Sequence, residues 1–318
     1  MNLEEISVKS VDDILRCINL SSLLELSGWP KPGNVHRTRN FEDTKFEHFL
    51  GGIAGIQPTF KEFCEKIFKN YDNTISNDVN LGFFIKKAAN DMMGWQQGGN
   101  VLLGHILILA PLAATAVICL KLDSKSLNNF KSILKEVIAG TTVEDTIYLY
   151  EAIKICNPGG LGEIGKYDIY DEDSPRELKE DKITLKKIFE LSKDYDLISS
   201  EYSTGFSIIL NDGLRYYLNC YNKFKDINIA TVNTFLRLLS EHPDTLIIRK
   251  SGLESALFVS NMAIKILNKG GISTKKGLKM TLNFDKKLHK KKGELNPGTT
   301  ADLITGIIFT ALLFGLRF

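Results

Sequence analysis

Four separated stretches of this chain combine ligand-binding side chains with backbone that cannot continue a helix. The first is Trp29-Pro30-Lys31-Pro32-Gly33-Asn34. Its prolines and glycine forbid helix and impose a fixed, extended loop. Lys31, Asn34, His36, Arg37 and Arg39 crowd it. A stiff loop bearing cationic and amide groups suits an anion, with Lys31, Gly33, Asn34 and Arg37 as candidate contacts. The second is the polar turn Gly94-Trp95-Gln96-Gln97-Gly98-Gly99-Asn100, which opens directly into an apolar segment. If that segment is a buried helix, the free N–H groups of its first turn need partners, and Gln97, Gly99 and Asn100 become candidate pocket walls.

The third stretch runs from Glu241 to Glu254. Ser251 and Glu254 have capping-box spacing, with Arg249 and Lys250 just before them. A cation beside exposed helix N–H groups holds phosphate, which makes Arg249, Lys250 and Ser251 candidate ligands. Asp244 either pairs with those cations or holds a metal over the same phosphate. The fourth is Asn296-Pro297-Gly298-Thr299-Thr300-Ala301-Asp302. Thr299 and Asp302 again have capping-box spacing, and Asn296, Thr299 and Thr300 are candidate contacts. Glu144 and Asp145 follow the Thr142 cap of another helix. They serve either the helix dipole or chemistry. His48 reads as an ordinary surface or core histidine.

Several broken loops that open into polar first turns suggest one shared phosphate-and-metal pocket at helix N-termini. No GxxxxGK[ST] loop, HExxH pair or nucleophile elbow occurs, and strand signals are poor throughout. Helical spacing predicts elements over 9–28, 41–70, 81–93, 127–139, 143–155, 183–191, 203–222 and 227–240. Pro58 is expected to end a helix and Pro111 to kink or divide one. The polar run 165–175 is expected to be an exposed excursion. The segment from Val101 to Leu120 carries no charge. It has membrane-span length, but His105 and Pro111 interrupt it and aromatic belts are missing, so it reads as a buried central helix. Val101–Leu109 and Asp302–Leu313 are expected to lie buried side by side, in one large all-α domain spanning residues 1–318.

Composition agrees with a soluble protein that has a real core: 318 residues, 43% hydrophobic and 25% charged. A net charge of +2 predicts no polyanionic partner, and the one basic cluster, Lys286 to Lys292, reads as a solvated face rather than a nucleic-acid site. Five scattered cysteines without a CxxC pair argue against a zinc knuckle or redox dithiol. Met1-Asn2-Leu3-Glu4-Glu5 lacks an apolar signal region, so the expected location is cytoplasmic, without membrane attachment. The sequence leaves oligomer formation open.

Taken in order, Lys31-Pro32-Gly33-Asn34-Val35, Gly99-Asn100 with Gly104, Asp244-Thr245 followed by Arg249 to Gly252, and Asn296-Pro297-Gly298 to Ala301-Asp302-Leu303 resemble the triphosphoribosyl-dephospho-CoA synthase family. The resemblance runs from about Leu24 to Leu312. It implies an all-helical enzyme that moves the triphosphoribosyl group of ATP onto the ribose 2′-hydroxyl of 3′-dephospho-CoA and releases adenine. Bacterial members carry Asn-Thr-His-Lys-Gly where this chain has Asn100-Val101-Leu102-Leu103-Gly104, and an Asp where it has His36. It therefore resembles a divergent branch, of archaeal type. The implied transition state is oxocarbenium-like, which calls for a nearby carboxylate, an acid for adenine and a base for the hydroxyl. The resemblance makes Glu144 or Asp145 the base, and Asp244 and Asp302 the ligands of Mg2+ on the triphosphate. A kinase-like enzyme of cofactor biosynthesis and a non-catalytic nucleotide-binding protein are the other two readings.

Overall fold

A computed structural model describes residues 5–71, 79–160 and 165–318. The expectations resting on Met1–Glu4 and on residues 161–163 of the Asn157–Glu163 loop lie outside them. Among the described residues the regular structure is helical, with only isolated bridges at Glu5–Ser126 and His36–Arg39. In order the helices are α1 (Val11–Ser27), α2 (Phe46–Asn70), α3 (Leu81–Gly94), α4 (Leu103–Lys121), α5 (Leu127–Ala139), α6 (Val143–Cys156) and α7 (Ser174–Glu180). There follow α8 (Leu185–Ser192), α9 (Leu197–Thr204), a π-helical turn (Ile208–Gly213), α10 (Leu214–Phe224), α11 (Ile227–Glu241), α12 (Thr245–Leu267), α13 (Lys275–His289) and α14 (Gly298–Leu313).

Helices α4 and α14 form the centre, as their long uncharged runs predict. Both are enclosed on all sides: α4 by α1, α2, α3, α5 and α14, and α14 also by α1, α10 and α11. Helix α4 is long and apolar enough to cross a membrane by length alone, but its side chains from His105 to Cys119 are packed inside the protein. Each fully buried Ile or Leu here contributes about 1.5–3 kcal/mol by leaving water. Gly306 lets the two helices approach, since a Cβ there would sit 2.6 Å from Ile108 Cγ2. The polar contact between them joins His105 Nε2 and Thr305 Oγ1 at 3.0 Å.

Both prolines sit inside helices rather than at their ends. A proline removes the N–H that would satisfy the carbonyl four residues earlier. At Pro58 that carbonyl belongs to Ala54, which is exposed and open to water. At Pro111 it belongs to Leu107, deep in the core, and Tyr202 on α9 donates its hydroxyl to it at 2.7 Å. The helix runs on because a tertiary donor replaces the missing one. Tyr202→Phe strands that carbonyl in the core, and a loss of about 1–3 kcal/mol is expected in denaturant unfolding. An unchanged midpoint would show that Leu107 needs no donor.

Other boundaries also depart from the sequence expectation. The 165–175 excursion leads into α7, whose Leu178 docks on Tyr150 and Ile183 in a small second cluster. The single helix expected over 203–222 is interrupted after α9, where Gly205 and Phe206 take positive φ and Glu201 accepts N–H bonds from Ile208 and Ile209 at 2.9 Å each. Helix α12 starts at the Asp244 cap rather than at Ser251, and is bent where Gly252 adopts φ 80°, ψ 165°.

Candidate active site

The loop after α1 carries Lys31 back under the helix that precedes it. Its ammonium is fully buried, bonded to the Glu25 carboxylate and to the Glu25 carbonyl at 3.0 Å. Glu25 falls on the core stripe of α1, with Ile14, Cys17, Ile18, Ser21 and Ser22. Its other oxygen, Oε2, lies 3.5 Å from His105 Nε2 on α4. Asp302 on α14 approaches the same Nε2 to 3.6 Å through Oδ1. Thr305 Oγ1 shares that nitrogen, while His105 Nδ1 is buried without a partner. Two carboxyl groups thus flank one imidazole, and α1, α4 and α14 each supply one corner.

Their environments push the two acids apart. Burial by itself raises Glu25, but Lys31 and His105 together outweigh it and hold this carboxyl below its ordinary value. Burial, then the charges of Glu25, Asp244 and Asp196, raise Asp302 well above the carboxylate range, against the weaker pull of Lys31. Glu25 is therefore the more readily ionised member and Asp302 the better proton carrier. Such divergence of paired acids is how acid and base roles are separated. Asp302 is also the accessible member, with 20% of its side chain exposed against 1% for Glu25. Gly104 makes room for it, because a Cβ there would lie 1.9 Å from Asp302 Oδ2.

Other predicted residues make contacts with one another and with the helix starts. Asn34 Nδ2 donates to Asn296 Oδ1 at 2.8 Å, tying the first loop to the start of α14. Asn100 Oδ1 accepts from the N–H of Leu103, the first residue of α4 and the neighbour of Gly104, at 3.1 Å. Gly99 takes φ 72° in that turn, and Gln97 is exposed. Arg249 pairs with Asp196 at 2.7 Å, and Gly160 packs against it. Gly33 donates its N–H to Asp285 rather than facing the cluster.

Elsewhere the geometry gives predicted residues different work. Lys31 was expected to meet phosphate, but its charge is committed to Glu25. Asp244, an expected metal ligand, is fully buried and its oxygens are saturated. Oδ1 caps α12 through Leu246 N at 3.0 Å and Ile247 N at 3.2 Å, and Oδ2 takes Thr300 N and Oγ1 at 2.7 Å each. A cation would have to displace those donors. Asp302, expected at a capping position, caps nothing, since α14 begins at Pro297–Gly298 without a side-chain cap. Thr299 accepts from Thr245 Oγ1 at 3.2 Å. Asp145 bonds Thr142 N and Oγ1 and also Gly82 N at 2.8 Å, so both of its oxygens serve helix ends. Glu144 is exposed and lies 3.3 Å from Lys179. Arg37 bonds Asn228 on the outer side of its loop, Lys250 is exposed, and Ser251 bonds Glu294. Among the described residues no group of three or more His, Cys, Asp or Glu side chains could hold a metal ion.

Glu25 and His105 are the two site residues not foreseen. The available signal was polarity out of place: an acid on the core stripe of α1, and a histidine in the uncharged run from Val101 to Leu120.

These features define an all-helical protein with an enclosed acid–base cluster, in place of a sheet with a phosphate loop. The chain belongs to the CitG family, ATP:dephospho-CoA triphosphoribosyl transferase, whose sequence profile matches residues 11–317. It is 28% identical over 104 residues to the probable 2-(5''-triphosphoribosyl)-3'-dephosphocoenzyme-A synthases of Salmonella gallinarum and Salmonella typhimurium. That match spans 33% of this chain and 34% of the relatives' length. A crystal structure described as a triphosphoribosyl-dephospho-CoA synthase of Archaeoglobus fulgidus superposes with a TM-score of 0.63 at 27% identity, covering 84% of this chain and 100% of that one.

Proposed function

We propose that this protein transfers the triphosphoribosyl group of ATP to 3′-dephospho-CoA, or a close relative of it, and releases adenine. Family membership supports the reaction class. The observation that carries the reading is the pair Glu25 and Asp302, held 3.5 and 3.6 Å from one imidazole nitrogen, with surroundings that push their proton affinities in opposite directions. Breaking the C1′–N9 bond leaves positive charge on the ribose and negative charge on adenine. The ionised Glu25 stabilises the first through space, and the Asp302 carboxyl protonates the second. The acceptor hydroxyl bonds C1′ and loses a proton. Overall one proton passes from that hydroxyl to adenine, so a single carboxyl that gives and then recovers a proton balances the reaction.

Magnesium enters this proposal with the triphosphate, as part of the substrate. Among the described residues no carboxylate cluster could hold a metal ion, and Asp302 alone of the two expected ligands has oxygens not already saturated. The proposal places the protein in the cytoplasm, acting on small nucleotides without nucleic acid or membrane. Incubation with ATP, magnesium and dephospho-CoA, followed by mass analysis, tests it. Adenine and an acceptor heavier by a triphosphoribosyl group are expected; ADP would instead establish phosphoryl transfer.

A further inference from the structure

We propose that the groove between the Arg39–Asp43 loop and the C-terminal end of α13 binds the polyphosphate chain of a nucleotide. This rests on the transferase reading above only for the choice of ligand. The groove encloses about 860 Å³ and is lined by Arg39, Phe41, Lys286, His289, Lys290 and Lys292. Glu42 and Asp43 also border it, so the cations outnumber the acids by two.

A built feature lies at its base. The His289 side chain is only 7% exposed, with Nδ1 2.9 Å from Asp285 Oδ1. Its ring stacks on Phe41 with centroids 5.0 Å apart. The ring is thus fixed on one edge and one face, while Nε2 is buried with no partner. A buried polar atom left unsatisfied is costly, and with a proton on both ring nitrogens Nε2 would donate to an incoming phosphate oxygen. Asp285 organises the surroundings. It accepts Gly33 N at 3.1 Å and approaches His36 Nε2 and Arg39 Nε at 3.5 Å each. Burial raises its carboxyl, but His289 and His36 outweigh that and keep it ionised.

Part of the lysine density serves the C-terminal dipole of α13. That does not explain Arg39, which comes from a different loop, or Lys292, which lies beyond the helix at φ 47°. The Lys31–His36 loop touches both places, the buried cluster through Lys31 and the groove's Asp285 through Gly33 and His36, and the Lys31 charge is felt at His36. The two sides of that loop have opposite character. On one side Glu25, Asp302, Asp244 and Asp196 accompany Lys31 and Arg249, both already paired. With those two cations neutralised by Glu25 and Asp196, that side offers a polyphosphate no free positive charge. Carboxylates suit the cationic sugar, and the groove suits the anionic chain. The shared chemistry, a chain of phosphates, fits the triphosphate of ATP or the diphosphate of dephospho-CoA.

Inorganic tripolyphosphate is the probe, titrated calorimetrically into the full chain at low salt. We expect binding by the parent, weakening of at least tenfold in Lys286→Ala/Lys290→Ala and in His289→Gln, and parental affinity in Asp302→Asn. The two lysines are exposed, so the double variant should keep its melting temperature and remain a fair test if His289→Gln does not fold. Displacement by ATP assigns the groove to the donor, and displacement by dephospho-CoA to the acceptor. No binding, displacement by neither nucleotide, or equal affinity in the lysine variant overturns the proposal. Groove-dependent binding without adenine release would leave the groove standing and remove the transferase reading. Adenine release indifferent to these lysines at subsaturating substrate would do the reverse.

Discussion

Asp302→Asn should release adenine at least a hundredfold more slowly than the parent, a loss of about 3 kcal/mol of transition-state stabilisation, while folding as well or better. The substitution keeps the shape of the side chain and removes its transferable proton. Nothing in the fold depends on the carboxylate as a cap. Its ionised form is instead disfavoured, by burial and by Glu25, Asp244 and Asp196. Because the folded state raises this carboxyl, it binds the proton more tightly than the unfolded chain does. The resulting stabilisation is complete below the unfolded value of about 3.9 and is lost as pH rises from there through the folded value. The asparagine variant has no such loss. Its melting temperature should therefore gain on the parent as pH rises through that window, with the smallest difference at acid pH. Single-turnover adenine release and melting curves across pH check both halves. Adenine release within threefold of the parent would remove Asp302 from the chemistry.

The largest stability effect is expected at Asp244. Asp244→Ala removes one side chain that serves two helices: the cap of α12 and the bond to the Thr300 N–H and hydroxyl in the first turn of α14. A lost cap costs about 1–2 kcal/mol. Each buried donor left without an acceptor adds about 1–3 kcal/mol. Together these give about 3–5 kcal/mol, even after allowing that burial itself disfavours the Asp244 charge. Denaturant unfolding reads this directly. A midpoint unchanged within error would mean that Asp244 is not structural, and would restore it as a candidate ligand.

The sequence made the two apolar helices legible because an uncharged run of helical length has few ways to be satisfied. It also made the cap at Thr142 legible, since local hydrogen bonding within three residues creates it. The site was harder. Pro-Gly loops marked where two separated loops come together, and Asn34 and Asn296 do meet there. The ownership of each charge was not local information. Lys31 looks free in the sequence because Glu25 lies six positions back within a helix, and the loop must fold under that helix before the two can meet. Asp244 looks like a metal ligand until Thr300 arrives from 56 positions away. Pro111 looks like a helix breaker because Tyr202, its remedy, is on another helix.

The bond between Asn34 and Asn296 spans 262 positions, and Thr305 reaches His105 across 200. Contacts of such sequence separation carry loop-closure entropy that is recovered only when both ends are in place. The helices can form early, each from its own neighbours, but the corners contributed by α1, α4 and α14 coincide only once almost the whole polypeptide has been gathered. Competence therefore belongs to the finished chain: no fragment ending before α14 contains the proton carrier, however much of its helix it has made.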